Sequence, residues 1–394
     1  MTGMEQKYPN RLKQASKQSG FTIENMAAET KIPLRTLFDY CAGRVPIPRD
    51  RLEILAQTLG YPTHYIVPKM TREDGDVEDD TEDHGTSIFS AQRANHFQTW
   101  LIDSIEDGVR LRWQLYYTSR NTLTNDGLRN QIMKLEFLAD ENSEDSERIC
   151  RVLAQNYQLA GSLARDRFQY SVAKDYFRKA QKVIDIDEAP DMGATAVARH
   201  ALVYLRQSQN HLGKALQLYK DAATIATHAM PHVQAYVLSG LAETYARNGE
   251  KDECYHALDQ AERYLHRAQY MPVEEDFTYV YLTLQSLEDA RGECHVLLGE
   301  TDKGLQYLQS AQKQQDQKIS RNYCRLLMQH SEAFFAASQP DQCVKYALEG
   351  LQLARTLESV SNVHWSYEIY DKLLLSPWKN EGVVKELAEA LKES

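Results

Sequence analysis

The chain has 394 residues, 18 glycines, 11 prolines and a formal net charge of −11. This length is enough for two or three domains, and the scarcity of glycine and proline favours helix over strand. The acidic balance excludes a chain that binds nucleic acid along its whole length. The charge is uneven, however. Residues 1–68 hold nine Lys/Arg against six Asp/Glu, a net charge of +3 that leaves −14 for the remainder.

The six cysteines lie far apart in the sequence and include no Cys-x-x-Cys pair. Isolated cysteines of this kind are typical of reduced, buried side chains in a cytosolic protein. The N-terminus lacks the apolar core of a signal peptide, and the sequence has no run of 18 apolar residues. We therefore expect a soluble, cytoplasmic protein.

Residues 8–68 are predicted to form five short helices. Thr22 is well placed to cap the second helix, and Pro33 suits the first turn of the third. Leu55 and Leu59 repeat at helical spacing in the fourth. The predicted helices are Asn10–Ser19, Ile23–Thr30, Leu34–Cys41, a helix opened by Pro48 that continues to Leu59, and Thr63–Ile66.

Four stretches of this N-terminal segment together form a family pattern: Gly20–Ala27, Ile32–Leu37, Gly43–Pro46 and Arg51–Gly60. They resemble the helix-turn-helix domain of the phage-repressor-like (Cro/C1, or XRE) family. In such domains the second helix packs across the DNA backbone while the third enters the major groove. The resemblance implies the following DNA-binding residues: Leu34, Arg35, Phe38 and Asp39 facing the groove, with Thr36 and Arg44 contacting phosphates or base edges.

Three residues depart from the family pattern. Ile23 stands where glutamine is frequent, and Phe38 and Asp39 stand where polar or basic side chains are usual. Phe38 could contact a thymine methyl group and Asp39 could accept from cytosine N4. The other interpretation is a domain that has lost tight DNA affinity, or that docks a protein instead. With few basic contacts, we expect weak DNA binding unless the protein is a dimer.

An acidic segment, 69–88, follows. Within residues 69–87, eight acidic side chains face two basic ones, and almost nothing apolar is available for burial. This composition predicts a disordered linker. The alternative is an electrostatic mask that competes with DNA for the basic N-terminal domain.

Residues 89–150 are predicted to form connecting helices, Phe89–Tyr117 and Asp126–Ala139. In the first of these, Trp100, Trp113 and Tyr116 belong to an apolar stripe at helical spacing. Such a stripe predicts a packing face, here against the open end of the following domain or against a second copy of the chain. The alternative is that the stripe lines a small-molecule pocket.

Residues 151–394 contain five copies of a pattern of small residues separated by twelve and then seven positions. The triplets are Gly161, Ala173 and Ala180; Val203, Ala215 and Ala222; Ala242, Cys254 and Ala261; Gly292, Gly304 and Ala311; and Ser331, Cys343 and Gly350. This pattern resembles the tetratricopeptide repeat, a helix pair that buries its apolar face by stacking on further copies. The whole chain is therefore predicted to be all-α, with a five-helix N-terminal domain followed by an α-solenoid.

The spacing of the repeats departs from the usual unit. Successive middle positions lie 42, 39, 50 and 39 residues apart, whereas the unadorned repeat has about 34 residues. The excess predicts longer helices or loops, with the largest insertion around 270–276. After the fifth copy, 363–375 and 381–391 are predicted to form a degenerate pair whose polar outer face caps the stack.

The first helices of stacked pairs line a concave groove. Amides, tyrosines and arginines on that face suit an extended peptide, whose backbone needs hydrogen-bond partners along its length. A solvated helix face is the alternative. The groove residues implied by the repeat register are Gln155, Gln158, Arg165, His200, Tyr204, Gln207, Tyr236, Ser239, Glu243, Arg247, Asp289, Glu293, Arg325 and Glu332.

Catalytic and metal-binding motifs are missing from the sequence. It has no phosphate-binding Gly-x-x-x-x-Gly-Lys-Ser/Thr, no Gly-x-Ser-x-Gly and no His-Glu-x-x-His. His228 and His232 are four residues apart, but Pro231 interrupts a helix that would align them. We therefore predict neither an enzyme nor a bound metal or cofactor.

The combination of domains resembles bacterial regulators of the XRE-plus-tetratricopeptide type found in actinobacteria and Chloroflexi, and more distantly the peptide-sensing quorum regulators. The resemblance implies a homodimeric transcriptional regulator that binds double-stranded DNA through its N-terminal domain. Its repeats would bind a peptide or protein segment, without a membrane partner. The alternative is a scaffold or partner-regulating protein whose N-terminal domain does not bind DNA specifically.

Overall fold

The computed structural model describes residues 8, 10–19, 21–59, 61, 63–67, 102–139, 146–270, 276–314 and 320–392. Within these ranges the chain is all-α, as predicted, and no strand occurs in them. The chain divides into two compact units, Met1–Ala91 and Gln92–Ser394. The predicted linker 69–88 and the beginning of the helix predicted from Phe89 lie outside the described residues.

The described N-terminal residues, 8–67, form a bundle of five helices that we call the head. Its core consists of side chains without solvent exposure, among them Leu12, Met26, Leu37 and Leu55. The helices are α1 Leu12–Ser19, α2 Ile23–Thr30, α3 Leu34–Cys41, α4 Arg49–Leu59 and α5 Thr63–Ile66. These bounds agree closely with the predicted ones because the local signals act where expected. The Thr22 side chain, for example, accepts a hydrogen bond from Asn25 N at 3.2 Å and caps α2.

The described residues from 102 onward, which we call the repeat domain, are built from helix pairs. Three helices precede the pairs: α6, whose described part is 102–118, α7 Asn121–Asn125 and α8 Leu128–Ala139. The first helices of the five pairs are α9 Ser146–Asp166, α11 Pro190–Gln207, α13 Pro231–Arg247, α15 Leu284–Leu297 and α17 Arg321–Ala336. Their second helices are α10 Tyr170–Val183, α12 Leu212–Ala226, α14 Lys251–Ala268, α16 Thr301–Lys313 and α18 Pro340–Thr356. The terminal pair is α19 Val360–Leu374 and α20 Gly382–Lys392.

The small residues of the repeat triplets lie where two helices approach closely. Ala173 and Ala180 are fully buried on α10, on either side of Phe177. A Cβ atom added to Gly161 would lie 2.8 Å from the Phe177 ring, closer than such atoms pack. In the fifth copy the glycine at the close approach lies on the second helix of the pair and the large side chain on the first. Gly350 is covered by Met328 from the preceding helix, and a Cβ there would lie 2.7 Å from Met328 Cε.

Helix α6 packs on the first pair, as the apolar stripe predicted. Val109 and Trp113 are buried in one cluster with Ile149 and Leu153 of α9. At the other end, Leu387 and Leu391 of α20 are buried against the last repeats while Lys385 is exposed, so the terminal pair has the polar outer face of a solenoid cap. Among the described helices, none combines the length and the apolar character that crossing a bilayer requires.

Candidate functional site

The repeat domain contains a cavity of about 720 Å³. The first helix of every pair contributes to its wall, since lining residues come from α9, α11, α13, α15, α17 and α19. Trp113, Tyr116 and Tyr117 of α6 also line it, as do Tyr281 and Leu282, which precede α15. The aromatic stripe therefore does two things: its buried side packs on α9, and its other edge borders the cavity.

Most of the predicted groove residues border this cavity. The nine that do are Arg165, Gln207, Tyr236, Ser239, Glu243, Arg247, Glu293, Arg325 and Glu332. They come from five successive first helices, which agrees with the repeat register from which they were predicted. Their role in binding stays a prediction.

His200 and Tyr204 face away from the cavity and correct the predicted register on α11. The His200 ring stacks on Phe177 of α10, and the Tyr204 ring lies beneath the Lys174 ammonium at 4.8 Å. The cavity face of α11 is instead formed by residues such as Arg199 and Arg206. Near the middle of α11 the cavity side chain is therefore Arg199 and not His200, one residue away and roughly 100° around the helix, whereas Gln207 borders the cavity as predicted.

Gln155, Gln158 and Asp289 also fail to border the cavity, because other groups cover them. Asp289 lies behind the wall and pairs with Arg325, their closest atoms 2.7 Å apart. Gln158 accepts a hydrogen bond from Arg199 at 2.6 Å. Gln155 donates to the carbonyl of Phe277 at 2.7 Å. The groove beside the first pair is therefore occupied by the chain itself.

The occupying residues, 276–283, lie between α14 and α15 without regular secondary structure, and we call them the insertion segment. Its carbonyl oxygens accept from side chains of the first two pairs: Phe277 from Gln155, and Thr278 from Arg199 at 2.8 Å. The Tyr279 ring stacks on Trp113, with centroids 5.9 Å apart. Side-chain donors to backbone carbonyl groups are the contacts predicted for a bound peptide. The insertion was expected near these positions, but its course across the groove was not.

Buried charges cross the middle of the cavity wall as one network. Glu243 accepts from Arg206 at 2.9 Å and from Arg247 at 2.8 Å. Arg247 also approaches Glu293 at 3.3 Å. Glu293 in turn accepts from Gln329 at 2.5 Å. Three successive repeats are thereby tied together by hydrogen-bonded ion pairs.

The two glutamates of this network have opposite pKa shifts. Burial acts to raise the pKa of Glu243, but Arg206 and Arg247 outweigh it and lower the pKa to about 2. Burial and the neighbouring Glu243 charge raise the pKa of Glu293, against the opposing effect of the same arginines. Glu243 is therefore the carboxylate that the network favours as an anion.

Arg206 was missed at the sequence level although a signal was present. Arg165, Arg206 and Arg247 each lie in the last turn of a first helix, on α9, α11 and α13. They are 41 residues apart in both steps. A cation is favourable at a helix C-terminus, where the carbonyl groups carry partial negative charge. This recurrence aligns three guanidinium groups along the cavity.

A buried cluster that we call the latch joins the two ends of the repeat array. At its centre, Asp166 at the end of α9 accepts from Asn121 at 2.7 Å and from Ser359 and Ser361, each at 2.6 Å. Arg321 pairs with the same carboxylate at 3.3 Å. Ser359 follows the fifth pair, whereas Asp166 ends the first helix of the first pair. The array is therefore closed around its cavity.

The head presents the predicted DNA-binding residues on one helix and the turn that follows it. Leu34 and Phe38 are 40% and 47% exposed, and Arg35 is also exposed. Thr36 and Asp39 are partly exposed. Arg44 pairs with Asp39 at 3.3 Å. The opposite side of α3 buries Leu37 and Tyr40 in the head core.

Three further observations concern the expected chemistry. Among the described residues, no group of three or more His, Cys, Asp or Glu side chains is arranged to hold a metal ion. All six cysteines are free thiols. Helix α13 begins at Pro231, so His228 lies before it and His232 within it.

No protein-family model matches the sequence, and no curated protein matches it. Among solved structures, BtubC (BKLC) from P. vanneervenii matches with 12% identity and a TM-score of 0.41, over 59% of this chain and 90% of that one. The Rap conjugation gene regulator of the plasmid pLS20, solved in complex with the Phr* peptide, matches with 14% identity and a TM-score of 0.43, over 68% of this chain and 74% of that one. Similarity at this level does not extend to function.

Proposed function

We propose that the protein is a DNA-binding transcriptional regulator whose repeat domain binds a peptide or protein segment. The observation that carries the DNA-binding part is the turn between α2 and α3. It contains three residues, 31–33, and Lys31 adopts the left-handed conformation with φ 57°. A turn of this length joins the two helices of a helix-turn-helix motif. It leaves Arg35 and Phe38 on the open side of α3.

The cavity supports the sensing part of the proposal. Its volume of about 720 Å³ lies within the range of pockets that bury small ligands. A short peptide of a few residues fits this size better than a long extended one, because the insertion segment occupies the groove beside the first pair. A ligand bound there changes DNA binding only if it favours one arrangement of the protein over another.

A gel-shift assay of the full chain on DNA from upstream of its own gene tests the DNA-binding proposal. We expect wild type to bind at low salt and Arg35→Ala to bind about tenfold or more weakly, because a groove contact is lost. Lys17→Ala, an exposed cation on α1 outside the predicted set, controls for charge and is expected to have a smaller effect. If wild type and Arg35→Ala bind equally, the regulator proposal fails.

The second candidate is a scaffold whose head docks a protein. The observation that favours it is the pair formed by Asp39 and Arg44, because this pairing reduces the positive charge available to phosphates. Exposed Phe38 would then anchor the protein partner. This candidate predicts no salt-dependent binding to any duplex, so a titration of nonspecific DNA between 50 and 200 mM salt (roughly the range over which phosphate contacts weaken) separates the two.

A further inference from the structure

The wall of the cavity carries more positive than negative charge, although the whole chain has a net charge of −11. Seven cationic side chains and five acidic ones border it, a net charge of +2. The cations are Arg165, Arg199, Arg206, Arg247, Arg321, Arg325 and Lys372, and the acids are Asp166, Glu243, Glu293, Glu332 and Glu368. Asp289 pairs with Arg325 from behind the wall. When it is counted with the acids, the net charge is still +1.

The excess charge belongs to two arginines. The acids along the wall are engaged: Glu332, for example, pairs with Lys372, and Glu243 with Arg206 and Arg247. Among the described residues, no carboxylate lies within ion-pair distance of Arg165 or Arg199. A guanidinium that borders the cavity without an ion-pair partner is free to pair with an anion that a ligand supplies.

The two arginines differ in what they can still bind. Arg199 donates to Gln158 and to the Thr278 carbonyl, and its guanidinium lies over the Trp113 ring at 4.3 Å. Arg165 has a single hydrogen bond in the described structure, to the Tyr116 hydroxyl at 3.3 Å. A guanidinium has five N–H donors, so most of those on Arg165 are unused.

A second donor on the same wall lacks an acceptor. Trp113 is 1% exposed and borders the cavity, and its indole N–H has no hydrogen-bond partner among the described residues. Buried donors are normally satisfied. The unused N–H donors of Arg165 border the cavity, and they suit a ligand that carries acceptor oxygens.

We propose that the cavity binds a ligand that carries a carboxylate, and that Arg165 receives this group. The inference rests on the proposed function, in which a short peptide or protein segment occupies the cavity. The carboxylate comes either from the C-terminus of that peptide or from an acidic side chain. Arg165 binds it through two parallel N–H···O bonds, which a guanidinium forms with a carboxylate.

The charge requirement is tested first with citrate, using the full chain in a thermal-shift titration against sodium chloride of equal ionic strength. We expect citrate to raise the melting temperature of wild type in a saturable way. Arg165→Gln should weaken the apparent affinity by roughly ten- to a hundredfold, and Arg165→Lys by less. Arg178→Gln removes an exposed arginine on α10 with the same change in charge, and it should behave as wild type.

The source of the carboxylate is tested by retention of tetrapeptide pools on the purified full chain. One pool lacks Asp and Glu and has free C-termini, the second is the same pool with amidated C-termini, and the third contains Asp and Glu with amidated C-termini. Retention of the first but not the second identifies the C-terminal carboxylate. Retention of the third identifies an acidic side chain. In either case Arg165→Gln should reduce retention about tenfold or more.

The outcomes separate this inference from the proposed function. If peptides are retained equally in all three pools and by Arg165→Gln, the carboxylate inference is overturned while peptide binding stands. If citrate acts through Arg165 but no pool is retained, the inference stands and peptide sensing fails. If neither citrate nor any pool distinguishes wild type from Arg165→Gln, the inference is overturned.

Discussion

At the scale of single residues, Glu243 and Glu293 share arginine partners yet respond to them differently. The Glu243 pKa is lowered to about 2, from an ordinary value of 4.5. Its ionised form therefore stabilises the fold above pH 4.5, and this contribution is lost as the pH falls toward 2. The Glu293 pKa is raised by burial, so its contribution is present below its ordinary pKa and is lost as the pH rises through the raised value.

We predict that Glu243→Gln destabilises the repeat domain by about 3 kcal/mol or more at pH 7, because Arg206 and Arg247 lose the anion between them. Glu293→Gln is the matched control and should have a smaller effect. Urea unfolding of the full chain measures both. The difference between wild type and Glu243→Gln should shrink between pH 4.5 and pH 2. Equal destabilisation by both variants would contradict the assignment of Glu243 as the stabilising anion.

At the scale of helices and segments, the sequence predicted the position of an element wherever that position is set by residues close to it in the chain. The bounds of α2 and α3 follow from a cap and a turn, and the repeat triplets follow from small residues at fixed spacing. Short α7, Asn121–Asn125, was missed because its position depends on contacts with residues more than 200 positions away, at Glu358. The course of the insertion segment was missed for the same reason.

Nine of the fourteen predicted groove residues border the cavity, and five do not, among them His200 and Tyr204 on α11. Repeat spacing gives the concave side of a helix to within about one residue. On α13 an error of one residue did not arise, since all four predicted residues, Tyr236, Ser239, Glu243 and Arg247, border the cavity. On α11 it exchanges Arg199 for His200, because the two side chains point about 100° apart. Only the packing of His200 on Phe177 settles the rotation.

The insertion segment should be held in the groove by the contacts seen in the structure. We predict that Gln155→Ala increases amide hydrogen exchange in residues 276–283 roughly fivefold, because one side-chain hydrogen bond of about 1 kcal/mol is lost. Gln217→Ala, which removes an exposed amide bonded to Asp221 within α12, should leave that exchange unchanged. Hydrogen-exchange mass spectrometry measures the exchange of residues 276–283 in both variants. No change on Gln155→Ala would show that the segment is held by other contacts.

At the scale of the repeat domain, the latch converts a linear stack into a closed one. An open solenoid is stabilised by contacts between neighbouring repeats alone. Here Asn121, ahead of the first pair, donates to the Glu358 carbonyl after the fifth pair at 2.7 Å. Thr122 donates to the Glu358 carboxylate, and these hydrogen bonds lower the pKa of Glu358. Both ends therefore contribute to each other's stability.

We predict that Asp166→Asn lowers the stability of the repeat domain by about 3 kcal/mol or more, because Arg321 loses its anion and the amide cannot accept from every donor. Hydrogen exchange should rise most at α7 and α19, the elements that the latch joins. Asp175→Asn, an exposed carboxylate on α10 paired with Arg178, is the control. Uniform loss of protection along the domain, without an excess at its ends, would contradict a joining role.

Closure also fixes how many repeats this array can contain. Stacked helices lie about 8–10 Å apart, and a sixth pair would move Ser359 out of reach of Asp166, which it now contacts at 2.6 Å. Duplication or deletion of a unit would therefore separate Ser359 from Asp166 and open the cavity. We therefore expect this architecture to tolerate changes in side chains and insertions between helices more readily than changes in repeat number, and the insertion segment is such an insertion.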